Sequence, residues 1–199
     1  GRRGWRGSSV GLRAERVDAG RGAAGAEALR AGAVFPGVCV GLERLEVDAA
    51  EHHDLLQAGA DNDSVLGGDG NDTITGDSGN DTIDSGQGND VVNGNDGDDS
   101  LMTGFGNDLA GGDDGDDFVM GGAGDDTISG GLGDDSLQGN SQQDAITGDE
   151  GNDTILGESG EDTLIGNDGD DRLEGSSFDD TLDGGAGNDV LRGGSENDI

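Results

Sequence analysis

The sequence predicts an all-β parallel β-roll, a solenoid of tandem nine-residue repeats with eighteen residues per coil. Three observations predict it. A nine-residue period runs without insertion from Gly67 to Arg192, fourteen units, followed by a partial one. Position 6 of every unit is Asp, and position 8 is aliphatic with Ala110 as its only small residue. Position 4 is nearly always Gly, one of 44 glycines in 199 residues.

The chain divides by composition. From Gly1 to Gln57 eight Arg offset eight Asp plus Glu, so the formal charge of −35 sits on the remainder, where Arg172 and Arg192 are the basic residues. Residues 1–48 read as an irregular or partly helical N-terminal segment, with helical tendency around "AGAEALR" and the character of a linker. Residues 49–199 read as the roll. Within it 49–66 are degenerate capping repeats, with Asp54, Leu56, Asp63 and Val65 already in frame, and 67–199 are regular. A first residue other than Met, and an end at Ile199 partway through a repeat, are expected of a fragment truncated at its C-terminus.

Each unit has two physical parts. Positions 1–6, such as "GGDGND" (67–72), combine Gly with Asn and Asp, which accept left-handed backbone and tight turns. Positions 7–9, such as "TIT" (73–75), form a short strand whose middle residue points opposite to its neighbours. A strand and a turn make half a coil. Stacked coils place parallel strands at roughly 4.8 Å, so fourteen units make a rod roughly 30 Å long. The position-8 residues form an apolar file between two thin sheets. That file is too slender to offset the backbone entropy of ordering nine residues for each buried side chain. Something must bind the turns.

Stacking sets each position-6 Asp over the one eighteen residues away, as Asp72 beneath Asp90. Carboxylates held that close repel strongly unless a cation lies between them. Carboxylate and turn-carbonyl oxygens suit Ca²⁺, which accepts six to eight ligands in loose geometry. Mg²⁺ demands a tighter octahedron, and Zn²⁺ prefers His and Cys. Calcium is therefore the expected cofactor.

Units such as "GGAGDDTIS" (121–129) and "GGLGDDSLQ" (130–138) match G-G-x-G-x-D-x-U-x, where U is a large apolar residue. Over about 58–199 the chain resembles the RTX, or hemolysin-type, calcium-binding nonapeptide-repeat proteins. The resemblance implies a parallel β-roll with Ca²⁺ between stacked turns. It also implies type I secretion as an unfolded chain that folds in extracellular calcium. The carboxylates it assigns are Asp63, Asp72, Asp81, Asp90, Asp99, Asp108, Asp117, Asp126, Asp135, Asp144, Asp153, Asp162, Asp171, Asp180, Asp189 and Asp198. In that family each ion also takes carbonyls from positions 2 and 4 of one turn and 1 and 3 of the next. Carried over, one site uses Asp72 and Asp90 with the carbonyls of Gly68, Gly70, Ser85 and Gln87. Gly122 and Gly124 supply the corresponding carbonyls further along.

Sixteen turns paired at a separation of two give fourteen sites, whose filling would add twenty-eight charges against about −35. Position 4 departs from Gly at Asp61, Gln142, Phe178 and Glu196, which predicts distorted, weak or empty sites nearby. The expected number is roughly ten to fourteen ions, at the ~10⁻⁴–10⁻³ M affinities of extracellular modules.

Other patterns carry less. An acidic, Gly-rich tract is commonly disordered, but strict registration of Asp and aliphatic positions argues against disorder in the loaded state. EF-hand loops need twelve residues, which a period of nine forbids. The "NDT" sequons at Asn71, Asn80 and Asn152 are by-products of the repeat. "GRGAAG" (20–25) has no convincing preceding strand, and His52 and His53 lack an H-E-x-x-H frame. Cys39 stands alone, no apolar run reaches membrane-span length, and the acidic surface disfavours nucleic acid. Outward threonines such as Thr73, Thr75 and Thr127 form an array interrupted by Val91, Asn93, Leu109 and Gly111. Met102, Phe118 and Met120 fall on adjacent coils as a small patch suited to a partner domain.

The expected activity is binding of calcium ions, with no catalytic constellation in the chain. Two functional readings stay open. One is a secreted, extracellular module that folds and is stabilised on Ca²⁺, part of a toxin or adhesin. The other is the non-catalytic C-terminal repeat domain of a secreted protease, lipase or polysaccharide epimerase, with the catalytic domain upstream.

Overall fold

The computed structural model describes the strand Leu45–Ala49 and residues 53–199. The helical tendency around "AGAEALR", "GRGAAG", Cys39 and His52 lie outside the described residues. The strand Leu45–Ala49 spans the expected 48/49 boundary and pairs in parallel with Ser64–Asp69.

Among the described residues seventeen strands form two parallel sheets. A nine-stranded sheet runs from Leu45–Ala49 to Val190–Ser195, and an eight-stranded sheet from Leu55–Ala60 to Thr181–Asp183. The chain alternates between them, so the inner strands pair with those eighteen residues away, Thr73 with Val91, Thr127 with Ala145 and Leu137 with Ile155, while Leu45–Ala49 joins at a shifted register with Leu45 opposite Val65. The result is a parallel β-solenoid of about eight coils, the fold class the period predicts.

The core is the position-8 file. Ile74, Ile83, Val92, Leu101, Val119, Leu137, Ile155, Leu164 and Leu173 are fully buried, and with Ala110 and their neighbours they make one continuous cluster. Met102 and Met120 are register partners on adjacent strands of the nine-stranded sheet, where Phe118 faces Ser100.

Strands are longer than the three residues the repeat suggests. Thr73–Ser78 is six residues long, taking in positions 1–3 of the next unit, and its burial alternates so that Ile74 and Gly76 both face inward. The reason is that coil-to-coil hydrogen bonding continues through the bend. Gly70 N–H donates to the Gln87 carbonyl at 2.7 Å, and Thr73 N–H to the Asp54 carbonyl at 2.8 Å. Bends are made instead by left-handed residues at positions 2 and 4. Position 2 tolerates Asp77, Asn95 and Asp149 at φ 75°, 77° and 79°, in keeping with the ease of Asn and Asp in that region. Position 4 is tighter: a Cβ on Gly88 would stand 2.5 Å from the Gly70 carbonyl carbon, and its φ of 136° is outside the range of most side chains.

Candidate metal centre

The turns line up along two edges of the rod. One carries Asp63, Asp81, Asp99, Asp117, Asp135, Asp153, Asp171 and Asp189 and is termed the Asp81 edge. The other, the Asp72 edge, carries Asp72, Asp90, Asp108, Asp126, Asp144, Asp162, Asp180 and Asp198. From Asp63 to Asp180 every one of these side chains is buried.

The two oxygens of each carboxylate have different surroundings. Oδ1 accepts the backbone N–H of the aspartate eighteen residues earlier. Asp72 N–H donates to Asp90 Oδ1 at 2.8 Å, Asp117 N–H to Asp135 Oδ1 at 2.8 Å, and Asp180 N–H to Asp198 Oδ1 at 3.1 Å. Oδ2 is buried without a hydrogen-bond partner in every turn from Asp54 to Asp180. A stacked pair therefore presents one free oxygen per carboxylate, not two whole carboxylates facing each other. Buried acceptors without donors are costly and rare in folded proteins, and here the defect repeats with the period.

Glycine at position 1 opens the space into which these oxygens point. A Cβ placed on Gly67 would stand 2.7 Å from Asp72 Oδ2 and would also crowd the Ser85 carbonyl oxygen. On the Asp81 edge the place beside Gly130 is bounded by Asp135 Oδ2 and by the Gly148 carbonyl oxygen, the latter 2.7 Å from a Cβ there. At Gly67, and along the Asp81 edge from Gly76 to Gly166, the cradle brings together a carboxylate oxygen and a carbonyl oxygen from the next coil. Hard oxygens of this kind are the donor set of Ca²⁺, so the residues present fit that ion. Among the described residues no group of three or more His, Cys, Asp and Glu side chains is placed to hold a metal ion. Any cation here must rely on backbone carbonyls.

Of the carbonyls expected for the Asp72–Asp90 pair, that of Ser85 lies with Asp72 Oδ2 at the Gly67 cradle, and those of Gly68 and Gly70 face Gly86 and Gly88 of the next coil. The Gln87 carbonyl accepts the Gly70 N–H, which occupies one of its two lone pairs. Gly122 and Gly124 repeat the backbone of Gly68 and Gly70, with φ of 110° and 142° against 108° and 135°.

The electrostatics agree. Burial, followed by the neighbouring carboxylates, pushes Asp135 and Asp144 up to about 7, although each accepts a backbone N–H that pulls the other way. The same causes, burial first, raise Asp99, Asp117, Asp126, Asp153 and Asp162 to about 6. Nearer the ends Asp63, Asp72, Asp171 and Asp180 are raised as well. Each of these groups therefore gives up its proton less readily than a free carboxyl.

At the four position-4 departures the left-handed conformation survives, with φ of 83° at Asp61, 81° at Gln142, 82° at Phe178 and 90° at Glu196. A side chain in this region costs about 1–2 kcal/mol. These angles fall short of the values taken by glycine at that position, such as 126° at Gly133 and 154° at Gly187, so the turn closes differently there. Three of the four lie on the Asp72 edge.

A second ladder had not been anticipated from the repeat. The position-5 side chain accepts the backbone N–H of the residue eighteen positions later, as Asn62 Oδ1 does from Asn80 at 3.0 Å and Asp134 Oδ1 from Asn152 at 2.8 Å. His53 occupies that place in the first turn, with Nδ1 accepting the Asn71 N–H at 2.8 Å. Its signal in the sequence is the near-exclusive Asn and Asp at position 5, the same residues that produce the "NDT" sequons.

The sequence model of the RTX calcium-binding nonapeptide repeat, four copies long, matches residues 48–83, 75–110, 111–146, 130–164, 138–173 and 165–199. No curated protein matches the chain. No helix among the described residues is long and apolar enough to cross a membrane.

Proposed function

Because the chain belongs to the RTX calcium-binding nonapeptide-repeat family, we propose that it is a secreted, extracellular module whose roll folds and is stabilised as its turns take up Ca²⁺, within a toxin or adhesin. Calcium binding in a β-roll is what the family implies, and secretion with calcium-driven folding extends it. The unpartnered, buried Oδ2 repeated from Asp54 to Asp180 carries it.

The aspartates from Asp63 to Asp198 would hold the ions in pairs eighteen residues apart. In one such pair, Asp72 and Asp90 would act with the carbonyls of Gly68, Gly70, Ser85 and Gln87. Bound calcium supplies positive charge where the chain has only acceptors. The protein's part is to preorganise: N–H bonds to Oδ1 fix each carboxylate, and glycine at position 1 leaves room beside Oδ2. Fewer than fourteen sites are proposed, because of the position-4 departures and a further feature described below. The residues from 53 on are repeat throughout, which supports a non-catalytic role for this chain.

The test is circular dichroism of the whole chain during calcium titration. We expect little β signal in chelator at neutral pH and a cooperative rise at ~10⁻⁴–10⁻³ M calcium. A chain already β-rich in chelator and indifferent to calcium would overturn the reading.

A further inference from the structure

Position 1 is glycine in every unit from Gly67 to Gly193 except two, Ser85 and Thr103. Both lie on the Asp72 edge, on consecutive coils, and both are fully buried. Their hydroxyls stand in the cradles that glycine leaves open elsewhere. Ser85 Oγ donates to the Thr103 carbonyl at 2.8 Å, and Thr103 Oγ1 donates to the Gly121 carbonyl at 2.8 Å. Each recipient is the position-1 carbonyl of the next coil. On the Asp81 edge its counterparts, Gly112 beside Gly94 and Gly148 beside Gly130, have only glycine next to them.

We propose that Ser85 and Thr103 close two consecutive calcium sites, those between Asp90 and Asp108 and between Asp108 and Asp126, by filling the cradle and capping its carbonyl with a hydroxyl proton. The inference rests on the calcium reading above. Two effects act together. The added side chain takes the volume beside Oδ2, where a Cβ on glycine would already stand within 3 Å of the carboxylate. The hydroxyl donor also removes a carbonyl lone pair that a cation would need and turns positive hydrogen toward it. The Asp72 edge is thereby split into two shorter files. The Asp81 edge keeps glycine at position 1 from Gly76 to Gly184. The closed stretch does not depend on calcium, because neutral hydrogen bonds join its coils. It is a pre-tied segment near the start of the roll.

The experiment counts calcium per chain at saturation, by metal analysis after equilibrium dialysis, in the whole protein. Ser85→Gly with Thr103→Gly should bind two more ions than the parent. Gly94→Ser, which places the same hydroxyl in an open cradle on the other edge, should bind one fewer. Melting in chelator at low pH gives an independent readout: the double glycine variant should melt below the parent there, because its carbonyls have lost their donors. An unchanged or reduced count in the double glycine variant would overturn the proposal, since it would make the hydroxyls bystanders or ligands. So would an unchanged count in a folded Gly94→Ser chain. A parent that binds no calcium at all would instead defeat the calcium reading itself.

Discussion

Replacing Asp135 with Asn should affect the roll in opposite directions with and without calcium. Asp135 Oδ1 holds the Asp117 N–H at 2.8 Å, and an amide oxygen can keep that bond. Its buried Oδ2 has no partner and faces the space beside Gly130 that the Gly148 carbonyl also borders. Asn puts an N–H donor there and removes a carboxyl that burial and neighbouring Asp117 and Asp153 have pushed up to about 7. Relieving an unsatisfied buried acceptor is worth about 1–3 kcal/mol. For a domain of this size, 1 kcal/mol shifts the melting midpoint by about 2–4 °C. Asp135→Asn should therefore melt roughly 2–12 °C higher than the parent in chelator, at a pH where both retain structure. With saturating calcium it should melt lower and bind fewer ions, because the sites shared with Asp117 and Asp153 each lose a charged ligand. Asp135→Ala is the control: it strands the Asp117 N–H and should destabilise in both conditions. The assay is differential scanning calorimetry with and without calcium, paired with metal analysis. A lower midpoint for Asp135→Asn in chelator would refute the claim that the free oxygen is a liability awaiting a cation.

Two further outcomes follow from the same geometry. Because seven carboxylates are raised to about 6 or 7, their contribution is fully present below their unfolded values near 3.9 and is lost as pH rises through 6 to 7. The calcium-free chain should fold most readily at about pH 4 and below, take up as many as seven protons on folding at about pH 5, and lose its β signal towards about pH 7.5; a β signal that strengthens with pH in chelator would contradict this. Ile128→Ala, at a fully buried position whose register partner Ala110 is already small, should cost about 2–5 kcal/mol in urea unfolding with calcium present, towards the upper end because the void adjoins a thinly filled place. A cost under ~1 kcal/mol would show that the aliphatic file does not hold the sheets together.

How much could be read in advance depends on the kind of fact. A strict period of nine decides what lies above what. Asp72 stacks under Asp90 and Ile74 beside Val92 however the side chains turn, because a solenoid has one repeating step and no insertion disturbs it. Alternation along the strand likewise decides that Ile74 is inward and Thr73 outward. The calcium chemistry was legible too, since acceptors outnumber donors so heavily.

What periodicity does not contain is direction. Whether the oxygens of Asp90 both turn to a cation, or one takes the Asp72 N–H, depends on where that N–H points in the closed coil. The structure places Oδ1 on the amide and leaves Oδ2 alone. The same holds at position 5, where Asn62 bonds forward to Asn80 while the adjacent aspartates bond backward. The repeat shows Ser85 and Thr103 only as departures from glycine at position 1; the inward turn of that position sets their hydroxyls beside the carbonyls of the next coil. The sequence by itself therefore determined the coil, its register, its core and the stacking of its carboxylates, because these follow from spacing and charge. Tertiary structure alone decided which oxygens remain free and how the two edges differ, because hydrogen bonds depend on angles that a one-dimensional pattern does not carry.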